Sequence, residues 1–229
     1  MSFLQTRFFL LFFLAQLALS ASAHDTLTFL NGRSMTVTDA KDASGNVEYT
    51  GFYRRGKLIT KPGSLERYRI YSIDYSGGER SILYAQDSSL GNFRTQQEMG
   101  YYVQGQSHAH EYHKARWAFW TSLGVTTVAS IFDTYRFDDA ETPNINEAGL
   151  FKSEPTILQV IMPFAVTMSI GLPRVSLKSS TVSDRALLND QNFLLGYARI
   201  GRQKKFFHAL KGSGIGIGVG LLSYLIFKP

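Results

Sequence analysis

The chain reads as an α+β protein. A small N-terminal β-barrel or roll of five or six short strands comes first, followed by a helical membrane domain with two or three transmembrane helices. Three observations predict this. Residues 25–85 alternate apolar and polar side chains between tight-turn signals, which is a strand pattern. The later runs 117–132, 155–172 and 212–227 carry no charged residue. The last run is fed by a basic amphipathic stretch, GYARIGRQKKFFHALK, as a membrane anchor would be.

Residues 1–23 have the features of a secretory signal peptide. Arg7 supplies the positive start, FFLLFFLAQLAL the apolar core, and Ala21-Ser22-Ala23 the small-residue cleavage pattern. The domains predicted are therefore 1–23 signal peptide, 24–86 exported β-domain and 95–229 helical membrane domain. An uncleaved anchor is the rival reading of the first segment. Cysteine is absent from the chain, so disulfides, thiolate metal sites and a thiol nucleophile are excluded.

In the β-domain, DTLTFL (25–30) leads into the hairpin dipeptide Asn31-Gly32 and on to SMTVTDA (34–40). VEYTGFY (47–53), RYRIYSIDYS (67–76) and RSILYA (80–85) complete the strands, with turns at Pro62-Gly63 and Gly77-Gly78. A unit of this size is marginal alone and gains from a partner.

Thr95 followed by Glu98 has the spacing of a capping box. The helix it starts is expected to carry through HAHEYHKAR into the run 117–132, with Trp117 and Trp120 at one edge as interfacial aromatics. Residues 133–154 hold six acids against two bases and read as a solvated loop. The run 155–172 contains Pro163, which would kink a helix.

Residues 173–211 carry eight bases and two acids. Arg199, Arg202, Lys204, Lys205 and Lys211 are expected at a membrane surface. Gly212, Gly216 and Gly220, spaced by four, form a smooth strip for helix packing. The apolar run 212–227 spans about 24 Å at ~1.5 Å per residue, against a hydrocarbon core of about 30 Å. An internal echo joins Gly105–Ser122 to Gly196–Ser213: Gly105/Gly196, Lys114/Lys205, Ala118/Ala209 and Ser122/Ser213 coincide.

The histidine cluster His108-Ala109-His110-Glu111-Tyr112-His113 is one residue short of the metalloprotease pattern H-E-x-x-H. His110 and His113 share a helix face and are the candidates for a metal. The bland reading, a polar helix with incidental histidines, is preferred, so no metal, cofactor or catalytic residue is assigned. The net charge of +6 lies beside the apolar runs, which points away from nucleic acid.

Several motifs resemble a known group of proteins. They are D-T-L-x-x-x-N-G (25–32), Y-x-I-Y-S-I-D-Y-x-x-G (68–78), ILYAQD (82–87), E-M-x-Y-Y-V-x-G-Q (98–106), LPRVSLKSSTVSD (172–184) and LLGYARIGRQKK with ALKGSGIGIGVG (194–220). Together they resemble a family of exported membrane proteins common in Bacteroidota-type bacteria. Ser107-His108-Ala109 stands where that family tends to have Asp-Ala. The resemblance implies an architecture and an address, and no reaction.

The function expected is that of an envelope membrane protein of structural or interaction type. The β-domain would bind a partner, and the glycine strip would pair helices. Membrane lipids, and a protein partner or a second copy, are the partners implied. The address implied is the bacterial inner membrane, multi-pass, with the N-terminal domain in the periplasm. An accessory subunit of a transporter or small channel is the alternative, and a metal-dependent hydrolase the third reading. Ionisable residues inside the apolar runs, which a transporter would show, are missing.

Overall fold

A computed structural model describes residues 24–134 and 158–227. The expected signal peptide and most of the acidic loop lie outside the described residues. The chain divides into two units, Met1–Phe93 and Arg94–Pro229.

The first unit is β-rich, with nine antiparallel strands among its described residues. They are β1 (Asp25–Phe29), β2 (Ser34–Thr38), β3 (Lys41–Ala43), β4 (Asn46–Tyr49), β5 (Gly51–Arg54), β6 (Lys57–Ile59), β7 (Gly63–Glu66), β8 (Ile70–Asp74) and β9 (Arg80–Ile82). Six form one sheet in the order β6-β5-β2-β1-β8-β9, and three form another, β3-β4-β7. The β1–β2 register sets Leu27 opposite Met35 and Asp25 opposite Val37. Gly32, at φ 72°, makes the intervening turn, and the Arg33 amide donates to Asn31 Oδ1 at 3.1 Å. Leu27, Val37, Val47, Ile70 and Ile73 share one core. Alternation buries Asp25 and Leu27 on β1, whereas β8 is buried from Ile70 to Ile73 and its register against β1 shifts between Thr28 and Phe29.

The buried Asp25 carboxylate ties two loops to this core. It accepts from the Ala40 amide at 2.8 Å and from the Ser76 amide at 2.9 Å. A buried carboxylate needs such partners.

The expected closed barrel is not formed. Closure would require β6 to pair with β9. Both are three residues long and begin with a cation, Lys57 or Arg80, which marks protected open edges. The strand expected over 47–53 is divided at Thr50 into β4 and β5, which belong to different sheets. That division adds one strand; the remaining excess is β3, β6 and β7, short strands in stretches where turns and loops are expected.

The second unit is helical: α1 (Gln96–Tyr112), α2 (Arg116–Thr134), α3 (Leu158–Gly171) and α4 (Gln191–Phe227). Thr95 and Glu98 form the capping box that starts α1, the Glu98 amide donating to Thr95 Oγ1 at 3.3 Å and the Thr95 amide to Glu98 Oε2 at 2.8 Å. The single helix expected from Thr95 to Phe132 breaks at 113–115, where His113 leaves helical geometry at ψ 112°. Helix α4 instead runs unbroken for 37 residues.

Among the described residues, no helix is long and apolar enough to cross a membrane. This overturns the expected transmembrane helices, and with them the multi-pass inner-membrane address. The physical reason lies in what fills the charge-free runs. Helix α3 has 14 residues, about 21 Å at ~1.5 Å each. Helix α2 is diluted by Thr121, Ser122, Gly124, Thr126, Thr127 and Ser130. The charge-free half of α4 holds five glycines, which add no apolar surface.

Candidate functional site

Helix α4 is the spine of the second unit, with α1 and then α2 lying along it in the same direction. Where α1 meets α4, the contact is reciprocal. A Cβ at Gly105 would fall on the Phe193 carbonyl oxygen, and one at Gly196 on the Tyr102 carbonyl oxygen. The same exchange recurs one step out, with Gly105 facing the Tyr197 amide and Gly196 the Gln106 amide. Each member of these pairs is offset by 91 positions, the spacing of the internal echo. Both helices therefore touch backbone to backbone, as small residues permit.

Further along, the glycine strip meets a strip of hydroxyls on α2. A Cβ at Gly212 would strike Phe119 O and Ser122 Oγ, one at Gly216 Thr126 Oγ1, and one at Gly220 Ser130 Oγ. Ser122 Oγ donates to Ala209 O at 2.6 Å, and Thr126 Oγ1 to Ser122 O at 2.6 Å. Gly214 and Gly218 face open space. Gly212, Gly216 and Gly220 thus pack against this chain's own α2. The partner strip Ser122, Thr126, Ser130 was missed in the sequence, although its four-residue spacing is the signal that matches it to the glycines. Helix α3 closes this end, with Ile170 packed on Ala118 and Ala209.

Between the two contacts lies the break at 113–115. Breaking α1 exposes its last carbonyls, the negative end of the helix dipole. Lys204 Nζ fills that position, donating to Ala109 O at 2.9 Å, His110 O at 2.8 Å and His113 O at 3.1 Å. Lys205, only 7% exposed, donates to Arg174 O at 3.3 Å and lies 5.6 Å from the Trp117 ring centroid. Burial lowers the pKa of both lysines, with Arg202 adding to the effect at Lys205. Arg199 donates to the Tyr102 hydroxyl at 3.0 Å. Three of the five bases expected at a membrane surface are thus turned onto protein groups, while Arg202 and Lys211 are exposed.

The histidines sit around this break. His113 Nδ1 lies 3.3 Å from the Tyr197 hydroxyl, and its Nε2 is buried with no hydrogen-bond partner. Burial first, then Lys204 and Lys205, lower the His113 pKa, so the ring is held neutral. His108 Nε2 lies 2.9 Å from Thr181 O, which makes it the donor and leaves Nδ1 as a buried acceptor without a partner. The His108 ring packs among Tyr112, Phe193 and Tyr197. His110 contributes its carbonyl to Lys204. Among the described residues, no group of three or more His, Asp or Glu is placed to hold a metal ion.

A cleft of about 640 Å³ opens over the break. Its walls come from the end of α1 (Glu111, Tyr112), the break itself (His113, Lys114), Trp117 of α2, Tyr197 of α4, and Ser176, Lys178 and Thr181 of the segment before α4. That segment is held down by Val175 and Leu177, which pack on Ala109, Tyr197 and Ile200.

Compared with known proteins, the chain matches no family model, no curated protein and no solved structure.

Proposed function

We propose that the protein works by association, as a structural or interaction protein whose helical unit packs laterally against further copies of itself. The observation that carries this reading is an uncharged belt around the lower half of the unit. Trp120, Val128 and Phe132 of α2, Val160, Ile161, Phe164 and Met168 of α3, and Ile215, Leu222 and Ile226 of α4 are all exposed. None of the runs that carry them contains a charged residue. Monomers rarely leave apolar surface of this extent open to water.

The belt faces outward on three helices, so one partner of complementary shape would cover only one side. Copies of the same belt, packing side by side, cover all of it. Charge does not oppose such packing, because the belt has none. The glycine strip is already engaged within the chain, so the outer residues would carry the association. The β-rich unit is then displayed in several copies, which raises its avidity for any partner it meets.

Sedimentation of the full chain tests this. A multiple of the monomer mass is expected, falling toward monomer in Phe164→Lys and Val160→Glu. A wild-type chain that sediments as a monomer refutes the reading. So does a chain that stays dispersed only when an amphiphile covers the belt.

A further inference from the structure

The geometry points to a ligand site in the cleft over the α1–α2 break, taking a small aromatic carboxylate. Its volume of about 640 Å³ falls in the roughly 300–1,000 Å³ range of small-molecule sites. The lining combines what such a ligand needs. Tyr112 and Trp117 expose 47% and 50% of their surface, offering ring faces to an aromatic body. Lys114 and Lys178 stand at the walls as counter-charges for a carboxylate, and the Ser176 hydroxyl supplies a further polar contact, while that of Thr181 donates to Lys178 O at 2.8 Å.

The field around the cleft favours an anion. Behind Lys114 and Lys178 lie Lys204 and Lys205, anchored to backbone carbonyls that carry no full charge. Glu111 is the acid of the lining, and it is engaged by the Tyr112 hydroxyl, whose pKa it raises. The lining sets Lys114 and Lys178 against this one carboxylate, which leaves one positive charge in excess. Lys204 alone satisfies the broken helix end, whereas Lys114 and Lys178 form no ion pair among the described residues.

The cleft wall adds an independent sign. His108 and His113 each keep one ring nitrogen buried and without a hydrogen-bond partner. Unsatisfied buried polar atoms are rare in native proteins and call for a local explanation. Of the two, His113 lines the cleft itself, and its Nε2 is unpartnered there. The His108 ring packs against Tyr112 and Tyr197, two residues of that wall.

Calorimetric titration of the full chain with 2-naphthoate is the test, with 2-naphthamide and inorganic phosphate as comparison ligands. Saturable binding of naphthoate is expected, at least tenfold tighter than either comparison ligand. Lys178→Gln and Lys114→Gln, both exposed positions, are each expected to weaken it about tenfold while circular dichroism stays unchanged. Trp117→Ala is expected to abolish it; should that variant fail to fold, the two lysine variants still decide. Three results overturn the assignment: no saturable naphthoate binding, naphthamide or phosphate binding as tightly as naphthoate, or full affinity in both lysine variants.

Discussion

Placing a methyl group at the α1–α4 crossing should separate two helices whose backbones touch. Gly105→Ala puts a Cβ on the Phe193 carbonyl oxygen, 2.9 Å from its carbonyl carbon and 3.0 Å from the Tyr197 amide nitrogen. The obstruction is main chain within a long helix, so no rotamer change relieves it. Ordinary contact begins near 3.4 Å, and α1 must therefore move away by several tenths of an ångström or more. Overpacking of this kind costs about 1–3 kcal/mol. Alanine returns up to about 1 kcal/mol of helix propensity, which leaves a net loss of up to about 2 kcal/mol when that return is complete. Gly214→Ala is the matched control, since its Cβ meets nothing within 4 Å. That change should stabilise by up to about 1 kcal/mol. Urea unfolding of the full chain, followed by the helix signal in circular dichroism, reads both. Opposite signs are expected, with Gly196→Ala behaving like Gly105→Ala. If Gly105→Ala and Gly214→Ala shift the midpoint in the same direction by the same amount, the close approach of α1 and α4 is refuted.

Two further outcomes follow from the break in α1. Lys204→Met keeps the apolar stem but removes the donor from the carbonyls of Ala109, His110 and His113; leaving such groups unsatisfied costs about 1–3 kcal/mol. Hydrogen exchange should quicken at the end of α1, and unchanged protection there would refute the capping role. His113 has a folded pKa below its unfolded value of 6.5, so the unfolded chain takes up its proton first as the solution is acidified. Its contribution to stability is therefore complete above pH 6.5 and falls as the pH drops below that, by at most about 1.4 kcal/mol per pH unit. His113→Gln should flatten the part of the stability–pH profile just below pH 6.5, and an unaltered profile would refute this.

The α+β class and the boundaries set by local chemistry were legible in the sequence, whereas the short strands β3, β6 and β7 were not. Asn31-Gly32 set the first hairpin, and Thr95 with Glu98 set the start of α1. Sheet closure was not legible, because pairing of β6 with β9 is a long-range matter that no turn residue encodes. The break at 113–115 was equally hidden. His113, Lys114 and Ala115 are all tolerated within helices, and the group that compensates the broken end, Lys204, lies 91 positions away. The cleft escaped notice for the same reason, since Lys178 and Tyr197 reach the histidines only through the tertiary fold. The histidine cluster reads from spacing alone as a polar helix with incidental histidines, because the tyrosine and lysines that surround it come from distant parts of the chain.

The absence of charge from three runs misled for a physical reason that the fold makes explicit. A residue without charge is not thereby apolar, and Gly, Ser and Thr occupy the middle ground. On α4 the glycines remove side chains so that α2 can approach; on α2, Ser122, Thr126 and Ser130 fill the space released. Such a seam suits helix association in any surrounding, because it is driven by contact and by hydrogen bonds such as Ser122 Oγ to Ala209 O. It therefore carries no information about what lies outside the bundle. That information resides in the outer residues, the exposed Phe132, Ile161, Phe164 and Ile226 among them. The two surfaces must be altered separately for this reason. Gly216→Ala should loosen α2 from α4 within one chain, because its Cβ collides with Thr126 Oγ1. Phe164→Lys should leave that seam intact and act only between chains.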